Sequence, residues 1–214
     1  MKVTRVHGVG AVSAATWDSL AGEDDPFAEH AFLSTLEDSG SVGGDSGWDA
    51  EHVLVHDGGL LVGALPLYRK QHSYGEYIFD FAWANAAARF RVDYYPKLLI
   101  AVPFTPATGA RILHADERDA DLARRAIARG AAQIIEQLEL SSAHVLFPTE
   151  GECDALTRAG FEERLGVQYQ WHNRGYVDFE DFLKSLPSKR RTQIRRERKE
   201  VANQGLRVET ISGS

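Results

Sequence analysis

The sequence predicts an α/β (α+β) fold in which a mixed central β-sheet is flanked by helices and followed by a basic helix. Three observations support this prediction. A hairpin signal surrounds Asp57-Gly58-Gly59, the run KLLIAVPF is typical of a buried strand, and residues 119–140 repeat apolar side chains with helical spacing. Hydrophobic residues make up 43% of the 214 positions, which is enough to fill a core.

The first part of the chain is expected to supply a strand, a helix and a hairpin. Residues 3–12 are predicted to form the strand. In DDPFAEHAFLSTLEDSG, Asp25 is the expected helix cap, Pro26 suits the first turn and Gly40 ends the helix. Apolar residues on both sides of Asp57-Gly58-Gly59 predict a β-hairpin over residues 51–69.

The middle of the chain alternates between irregular and regular segments. Residues 71–96 are rich in aromatic and acidic residues with weak periodicity, so we expect irregular, site-forming structure there. The run KLLIAVPF is apolar at successive positions, as in a strand buried on both faces. A helix over 119–140, the strand AHVLFP, a short helix TEGECDALTRAG and a long strand over 165–176 are predicted to follow.

The C-terminal part is predicted to contain two helices. Residues 178–186 form an amphipathic pattern with Asp178 as the expected cap. Pro187 separates this helix from a basic helix that ends at Gly205, and the following LRVETISGS is expected to begin a further strand. The apolar seam of the basic helix is narrow and consists mainly of Ile194 and Val201, seven residues apart.

Charge is unevenly distributed along the sequence. The formal net charge is −7, yet residues 184–200 carry eight basic and two acidic residues, so the remainder sums to −13. An acidic body offers little to a phosphate backbone and can itself face the basic segment, so sequence-specific nucleic-acid binding is not expected. The single cysteine, Cys153, excludes an internal disulfide and fits a reducing cytoplasm. The Cys/His spacing does not suggest a metal site, and the lack of a long apolar run argues against membrane insertion.

The predicted element order resembles the GNAT acyltransferase fold. In addition, LPLYRKQHSYGEYIFDFAWANA, YYPKLLIAVPFTPATGARIL, HVLFPTEGECDALTRAGFEERLGVQYQWHNRGY and FLKSLPSKRRTQIRRERKEV resemble the FemAB-like, GNAT-related family of peptidoglycan biosynthesis or recognition proteins. Members of that family look like two GNAT-like halves in one polypeptide. The resemblance implies a first half at residues 1–176, then a helical connector and the start of a truncated second half at 177–214, with the rest of that half missing.

The resemblance implies transfer of an acyl or aminoacyl group to the amine of a small-molecule or peptide acceptor, in the modification of peptidoglycan or a cell-wall precursor. Two alternatives remain open at this stage. The chain is a non-catalytic half that recognises substrate, or, less favoured, a nucleic-acid-binding module that uses its basic helix. In each case fold alone does not decide the activity.

The implied donor site lies in the loop between KLLIAV and the predicted helix at 119–140. Gly109 permits close backbone approach, Thr105 and Thr108 offer hydroxyl groups, and Arg111 can pair with a phosphate. The motif TPATGA matches the usual pyrophosphate-binding pattern only in part. Acyl-CoA and aminoacyl-tRNA therefore both remain possible co-substrates, and an ordinary Pro/Gly turn is the alternative interpretation.

Acyl transfer to an amine needs a group that accepts the amine proton. Glu76 is the first candidate because Tyr74 and Tyr77 flank it and are expected to exclude water and raise its pKa. Asp80 and His172 are the other catalytic candidates. The predicted substrate-binding residues are Asp93, Tyr95, Lys97, Asn173 and Arg174. Solvent-facing carboxylates and an ordinary turn around His172 are the structural alternatives.

Overall fold

A computed structural model describes residues 2–22, 24–114, 134–135, 137–207 and 209–210. The chain divides into two compact units, residues 1–166 and 167–214. The first unit combines two β-sheets with helices, which confirms the predicted α/β class. The domain boundary predicted after residue 176 stays a prediction.

The predicted central sheet is divided into two four-stranded sheets. The first has the order β1-β3-β4-β7 and is antiparallel throughout. The second has the order β2-β5-β6-β8 and is mixed, because β6 and β8 run parallel. The strands are β1 (Lys2–Val6), β2 (Trp48–Ala50), β3 (His52–Asp57), β4 (Leu60–Leu65), β5 (Leu67–Lys70), β6 (Lys97–Ile100), β7 (Leu113–His114) and β8 (Ala143–Val145).

Six α-helices lie within the described ranges. They are α1 (Ala14–Ala21), α2 (His30–Asp38), α3 (Phe81–Arg89), α4 (Glu150–Arg158), α5 (Phe179–Lys184) and α6 (Ser188–Asn203). Two short 3₁₀ segments occupy Val9–Ala11 and Gly44–Ser46. The predicted helix at 119–140 lies largely outside the described residues.

The N-terminal predictions need correction. The first strand stops at Val6, and the unpredicted helix α1 begins after Ser13, whose side chain accepts a hydrogen bond from the Thr16 N–H. Trp17 and Leu20, three residues apart in α1, are buried. Asp25 does not cap α2, because its Oδ1 accepts from the N–H of Phe27 in a separate turn.

The hairpin prediction is confirmed by the antiparallel pairing of β3 and β4. Gly58 and Gly59 connect these strands with φ values of 55° and 89°, a left-handed conformation that glycine adopts without steric cost. The buried-strand prediction is also confirmed, since all four residues of β6 are buried. Leu98 and Ile100 pack into one hydrophobic cluster and Leu99 into another, so both faces of this strand are covered.

The hydrophobic core has three parts. One cluster joins the two sheets through Val55, Leu65, Leu98 and Ile100. A second packs α1 and α2 on the first sheet, and a third surrounds Trp48 next to the second sheet.

Two further predictions differ from the structure. Residues 71–96 are not irregular throughout, since α3 lies within them. The strand predicted over 165–176 does not form, although the alternation of its side chains suggested one. Residues 165–175 are exposed and pair with no strand in the described chain, so nothing satisfies the hydrogen bonds of a strand there.

The second unit contains the two predicted C-terminal helices. Asp178 caps α5 by accepting from the N–H of Asp181, and Gly205 follows α6 with φ 71°. The rings of Trp171, Tyr176 and Phe182 pack against one another in this unit. Among the helices that the structure describes, none has the length and apolar character needed to cross a membrane.

Candidate active site

Two lysines lie side by side on neighbouring strands of the second sheet. Lys70 ends β5 and Lys97 begins β6, and the antiparallel register pairs them directly. Side chains alternate along a strand, so both lysines share the sheet face that carries Tyr68 and Leu99. Both are fully buried. Because like charges directly opposite one another are unfavourable, this pair requires acidic partners.

The partners come from the loop after β5 and from the start of α3. The Lys97 ammonium donates hydrogen bonds to Ser73 Oγ at 2.9 Å, Glu76 Oε2 at 2.8 Å and Asp80 Oδ2 at 2.6 Å. These three contacts use all three of its N–H donors. We call Lys97, Ser73, Glu76 and Asp80 the Lys97 cluster. All four residues are at most 5% exposed.

Two tyrosines support the Lys97 cluster from the segment that precedes β6. The Tyr94 hydroxyl donates to Asp80 Oδ2 at 2.7 Å, and the Tyr95 hydroxyl lies 2.7 Å from Ser73 Oγ. The Tyr94 ring also contacts His144, and burial, aided by the Lys97 charge, lowers the pKa of His144 to about 4. His144 is therefore neutral near pH 7.

Each carboxylate of the Lys97 cluster keeps one oxygen without a partner. Within the part of the chain that the structure describes, Glu76 Oε1 and Asp80 Oδ1 are buried and accept no hydrogen bond. A buried acceptor left unpaired costs about 1–3 kcal/mol. These two oxygens are therefore candidate positions for contact with a ligand.

The two carboxylates differ in acidity. Burial raises the pKa of Glu76 above its usual value, and the hydrogen bond from Lys97 only partly offsets this effect. Burial acts in the same direction on Asp80, but hydrogen bonds from groups that include Lys97 and Tyr94 outweigh it and lower the pKa to about 2. Such a separation means that the two carboxyl groups differ in how readily they take up a proton at one pH.

Lys70 is a second group with an unusual acidity, and it was missed by sequence reasoning. Burial lowers the pKa of Lys70 to about 7; the charge of Glu76 opposes this shift and that of Lys97 favours it. Its Nζ donates to the Tyr74 carbonyl at 3.2 Å and lies 3.8 Å from the centre of the Trp48 ring. The sequence contained one signal for this pair, because Lys70 stands at the last position of β5 and Lys97 at the first position of β6.

The structure brings together four of the predicted site residues, Glu76, Asp80, Tyr95 and Lys97, and does not include Asp93, which is exposed. Lys97 was predicted to bind substrate, but its donors are occupied by the cluster. The two rings predicted to shield Glu76, Tyr74 and Tyr77, are themselves 68% and 50% exposed. The roles of these residues in catalysis or binding stay predictions.

The other predicted substrate-binding group lies in the second unit. His172, Asn173 and Arg174 are exposed, and Asn173 Oδ1 accepts from the N–H groups of Gly175 and Tyr176. This arrangement is an Asx-type turn, in which the side chain replaces a backbone acceptor. The roles predicted for these three residues also stay untested.

The loop predicted to bind the donor is built around Arg111. Its side chain is buried, and it donates to the carbonyls of Leu146, Ala110 and Ala107 at 2.8, 3.0 and 2.5 Å. Glu152, which sequence reasoning also missed, accepts from the N–H groups of Arg111 and Ile112 at 2.7 Å each. These contacts give Arg111 a structural role within the loop.

Gly109 lies close to the Asp25 carboxylate. A Cβ at this position would lie 2.1 Å from Asp25 Oδ2, and the same oxygen is 3.7 Å from Arg111 Nη1. A carboxylate therefore already neighbours the arginine that was expected to pair with a phosphate. Thr105 Oγ1 donates to the Pro103 carbonyl, and Thr108 is exposed. Donor binding by this loop stays a prediction.

A metal centre has no evident place in the described residues, which contain no group of three His, Cys, Asp or Glu side chains suited to hold an ion. His52, one of two histidines on β3, is buried. Its ring lies 2.9 Å from Glu37 Oε1 and accepts from the N–H of Leu67. These contacts account for both of its ring nitrogens.

Three comparisons place the chain among known proteins. A solved structure that resembles it is a ribosomal-protein-alanine N-acetyltransferase from Brucella melitensis biovar Abortus 2308. That match has 14% identity and a TM-score of 0.47, and it covers 80% of this chain and 100% of the other. No curated protein matches the sequence significantly. Residues 8–214 match the FemAB-like family, described as peptidoglycan biosynthesis/recognition, and the chain belongs to that family.

Proposed function

We propose that this protein takes part in N-acyl or aminoacyl transfer to an amine in a peptidoglycan-related process, with Glu76 as the proton acceptor. Membership of the FemAB-like family supports the peptidoglycan context. The observation that carries the role of Glu76 is its unpaired Oε1 on a buried carboxylate whose pKa burial raises. Such a group takes up a proton more readily than an ordinary glutamate.

In the proposed reaction the nitrogen of a neutral amine attacks the acyl carbonyl carbon and forms the new C–N bond. The amine proton passes to Glu76 Oε1, and the bond from the acyl carbon to the donor breaks. The leaving group, a thiol of an acyl-CoA or a ribose hydroxyl of an aminoacyl-tRNA, receives a proton in return. Lys97 and Asp80 hold Glu76 in place, because Lys97 bridges the two carboxylates.

The proposal also covers the acyl donor and the cellular location of the protein. Either an acyl-CoA or an aminoacyl-tRNA supplies the acyl group, and neither is expected to be tightly bound as a cofactor. A cytoplasmic location accords with a chain whose single cysteine, Cys153, is free.

The test is a transfer assay that supplies acetyl-CoA or charged tRNA in separate reactions with a panel of primary amines. Glu76→Gln keeps the size and shape of the side chain but removes the proton acceptor. It is expected to reduce turnover by about 10²–10⁴-fold. Glu150→Gln changes an exposed glutamate of α4 and serves as the matched control, with unchanged turnover.

Two results would count against this proposal. Equal turnover for Glu76→Gln and Glu150→Gln removes Glu76 from the reaction. Binding of an amine without turnover by either donor favours the alternative of a recognition protein that performs no chemistry.

A further inference from the structure

The loop of residues 73–81 reverses the usual distribution of side chains. Its polar members Ser73, Glu76 and Asp80 are buried. Its large apolar members are exposed, by 68% at Tyr74, 50% at Tyr77, 73% at Phe79 and 42% at Phe81. Apolar residues are normally buried and charged ones exposed, so a group of exposed rings above buried charges suggests binding and not stability.

The backbone of this loop is strained where two of those rings occur. Tyr77 and Phe79 have φ values of 60° and 51°, in the left-handed region that large side chains rarely adopt. This conformation is unfavourable for such residues, and strained residues cluster at functional sites. Because both side chains are at least half exposed, core packing does not explain why aromatic residues occupy these positions.

The residue between them explains how the strain is maintained. Ile78 is half-buried and packs against the hydrophobic cluster around Trp48. Glu76 and Asp80 on either side are held inward by Lys97. The loop is therefore fixed at three inward positions, and the intervening rings are displayed outward.

We propose that residues 73–81 form a recognition loop for a primary ammonium group attached to an apolar or ring-shaped body. The exposed rings contact that body and the ammonium, and Glu76 Oε1 and Asp80 Oδ1 accept its N–H bonds. The proposal rests on the proposed function in one respect, namely that the acceptor is an amine. It adds the charge state in which the acceptor is captured and the residues that select it.

Charge supports a cationic ligand. The Lys97 cluster contains two carboxylates and one lysine, and the neighbouring Lys70 loses its charge as the pH rises through its lowered pKa of about 7, so the region becomes net negative above that pH. Aromatic faces attract ammonium groups through the negative charge density of the ring. Neutral isosteres of the ligand leave the two unpaired oxygens without donors, and a desolvated acceptor without a partner is unfavourable.

The probes are N-acetyl-L-lysine amide and the isosteric N-acetyl-L-norleucine amide, which lacks the ammonium group. Binding is measured by calorimetry or by NMR titration with no acyl donor present. We expect the lysine probe to bind at least about tenfold more tightly, since hydrogen bonds to charged groups are stronger than those between neutral groups. Tyr77→Ala and Phe79→Ala should each weaken its binding by about two- to fivefold.

Phe90→Ala is the matched control, because Phe90 is an aromatic residue with 81% exposure that follows α3 outside the loop. It should bind the lysine probe like the unmodified protein. Phe79→Gly provides a second test, since glycine relieves the left-handed φ. It should unfold at the same or a higher temperature and still bind the lysine probe more weakly, which separates lost recognition from lost folding.

Equal affinity for the two probes would overturn this inference. So would ring variants that bind the lysine probe as tightly as Phe90→Ala does. Because the binding experiment contains no donor, it is independent of turnover. If the protein prefers the lysine probe but shows no transfer activity, only the proposed function is contradicted. If it shows transfer activity but the ring variants bind the lysine probe normally, only the recognition loop is contradicted.

Discussion

The Lys97 cluster and helix α6 both contain several charged side chains, but those of the cluster are buried and those of the helix are not. In the cluster, Lys97, Glu76 and Asp80 are dispersed along the sequence and are at most 2% exposed. In α6, seven basic residues fall between Ser188 and Glu200, and no residue of the helix is buried. The comparison shows that density of charge in a sequence does not identify charges held in a low-dielectric environment, where their energetic effects are largest.

Six of the seven basic residues of α6 divide into two sets, and the seventh, Arg190, donates to Gln193 within the helix. One set contacts the neighbouring helix α5 and its end. Arg195 pairs with Glu180, Arg198 lies over the Phe179 ring, and Arg191 donates to the carbonyls of Lys184 and Leu186. The second set, Lys189, Arg196 and Lys199, follows the i, i+7, i+10 spacing of one helical face. Local contacts within this unit thus account for only part of the basic run.

The largest effect expected from the comparison is on stability, from removing the central cation of the buried region. Lys97→Met fills similar space but removes the cation that both Glu76 and Asp80 contact, which leaves only Lys70, with its lowered pKa of about 7, as a neighbouring positive group. Removing one partner of a buried ion pair typically costs about 3–5 kcal/mol. Urea unfolding at pH 7 should show a loss of this size in the free energy of unfolding.

A triple variant serves as the control for Lys97→Met. Combining Lys97→Met with Glu76→Gln and Asp80→Asn removes the uncompensated charges and should recover much of the lost stability. If Lys97→Met alone unfolds like the unmodified protein, the cluster is not desolvated and its contrast with α6 fails.

The second largest effect expected is a change in the free energy of unfolding at acidic pH. Because hydrogen bonds lower the pKa of Asp80 in the folded state to about 2, against 3.8 as its ordinary value, Asp80 contributes stability above pH 4. That contribution, about 2 kcal/mol, is lost as the pH falls from about 4 to about 2. Glu76 has the opposite effect on stability at higher pH. Because its pKa is raised in the folded state, the folded state gains stability as the pH falls towards 4.5.

Unfolding curves recorded from pH 2 to pH 7 for the unmodified protein and for Asp80→Asn separate these contributions. The variant is less stable overall but should lack the loss below pH 4. The two proteins should therefore converge in stability at low pH. Parallel pH profiles would show that Asp80 titrates normally and is not held by the cluster.

The elements that sequence reasoning predicted well are those specified by local patterns. Gly58-Gly59 determined the β3–β4 hairpin, and Asp178 marked the start of α5. The apolar run of β6 indicated a strand covered on both faces. In each case the signal and the structure that it specifies lie within a few residues of one another.

The parts that could not be predicted depend on contacts between distant residues. Lys70 and Lys97 are neighbours only through the register of β5 and β6, which are separated by a helix and two loops. No local pattern determines that register. Residues 165–176 show the reverse case, since their side chains alternate like a strand but the described chain offers no partner strand. A periodic pattern predicts a strand only where another strand is available.

The smallest effect is expected on the exposed face of α6. Arg196→Gln removes an exposed charge that makes no hydrogen bond or ion pair within the described chain, and surface substitutions of this kind usually change the free energy of unfolding by less than about 0.5 kcal/mol. Arg195→Gln, one residue away, also removes the pairing with Glu180 and provides the comparison.

In urea unfolding with and without 0.5 M NaCl, Arg196→Gln should match the unmodified protein at both salt concentrations. Any difference for Arg195→Gln should shrink with salt, because solvent-exposed ion pairs are screened. A large, salt-independent loss for Arg196→Gln would mean that this charge is desolvated like Lys97, and the distinction between the two charged regions would no longer hold.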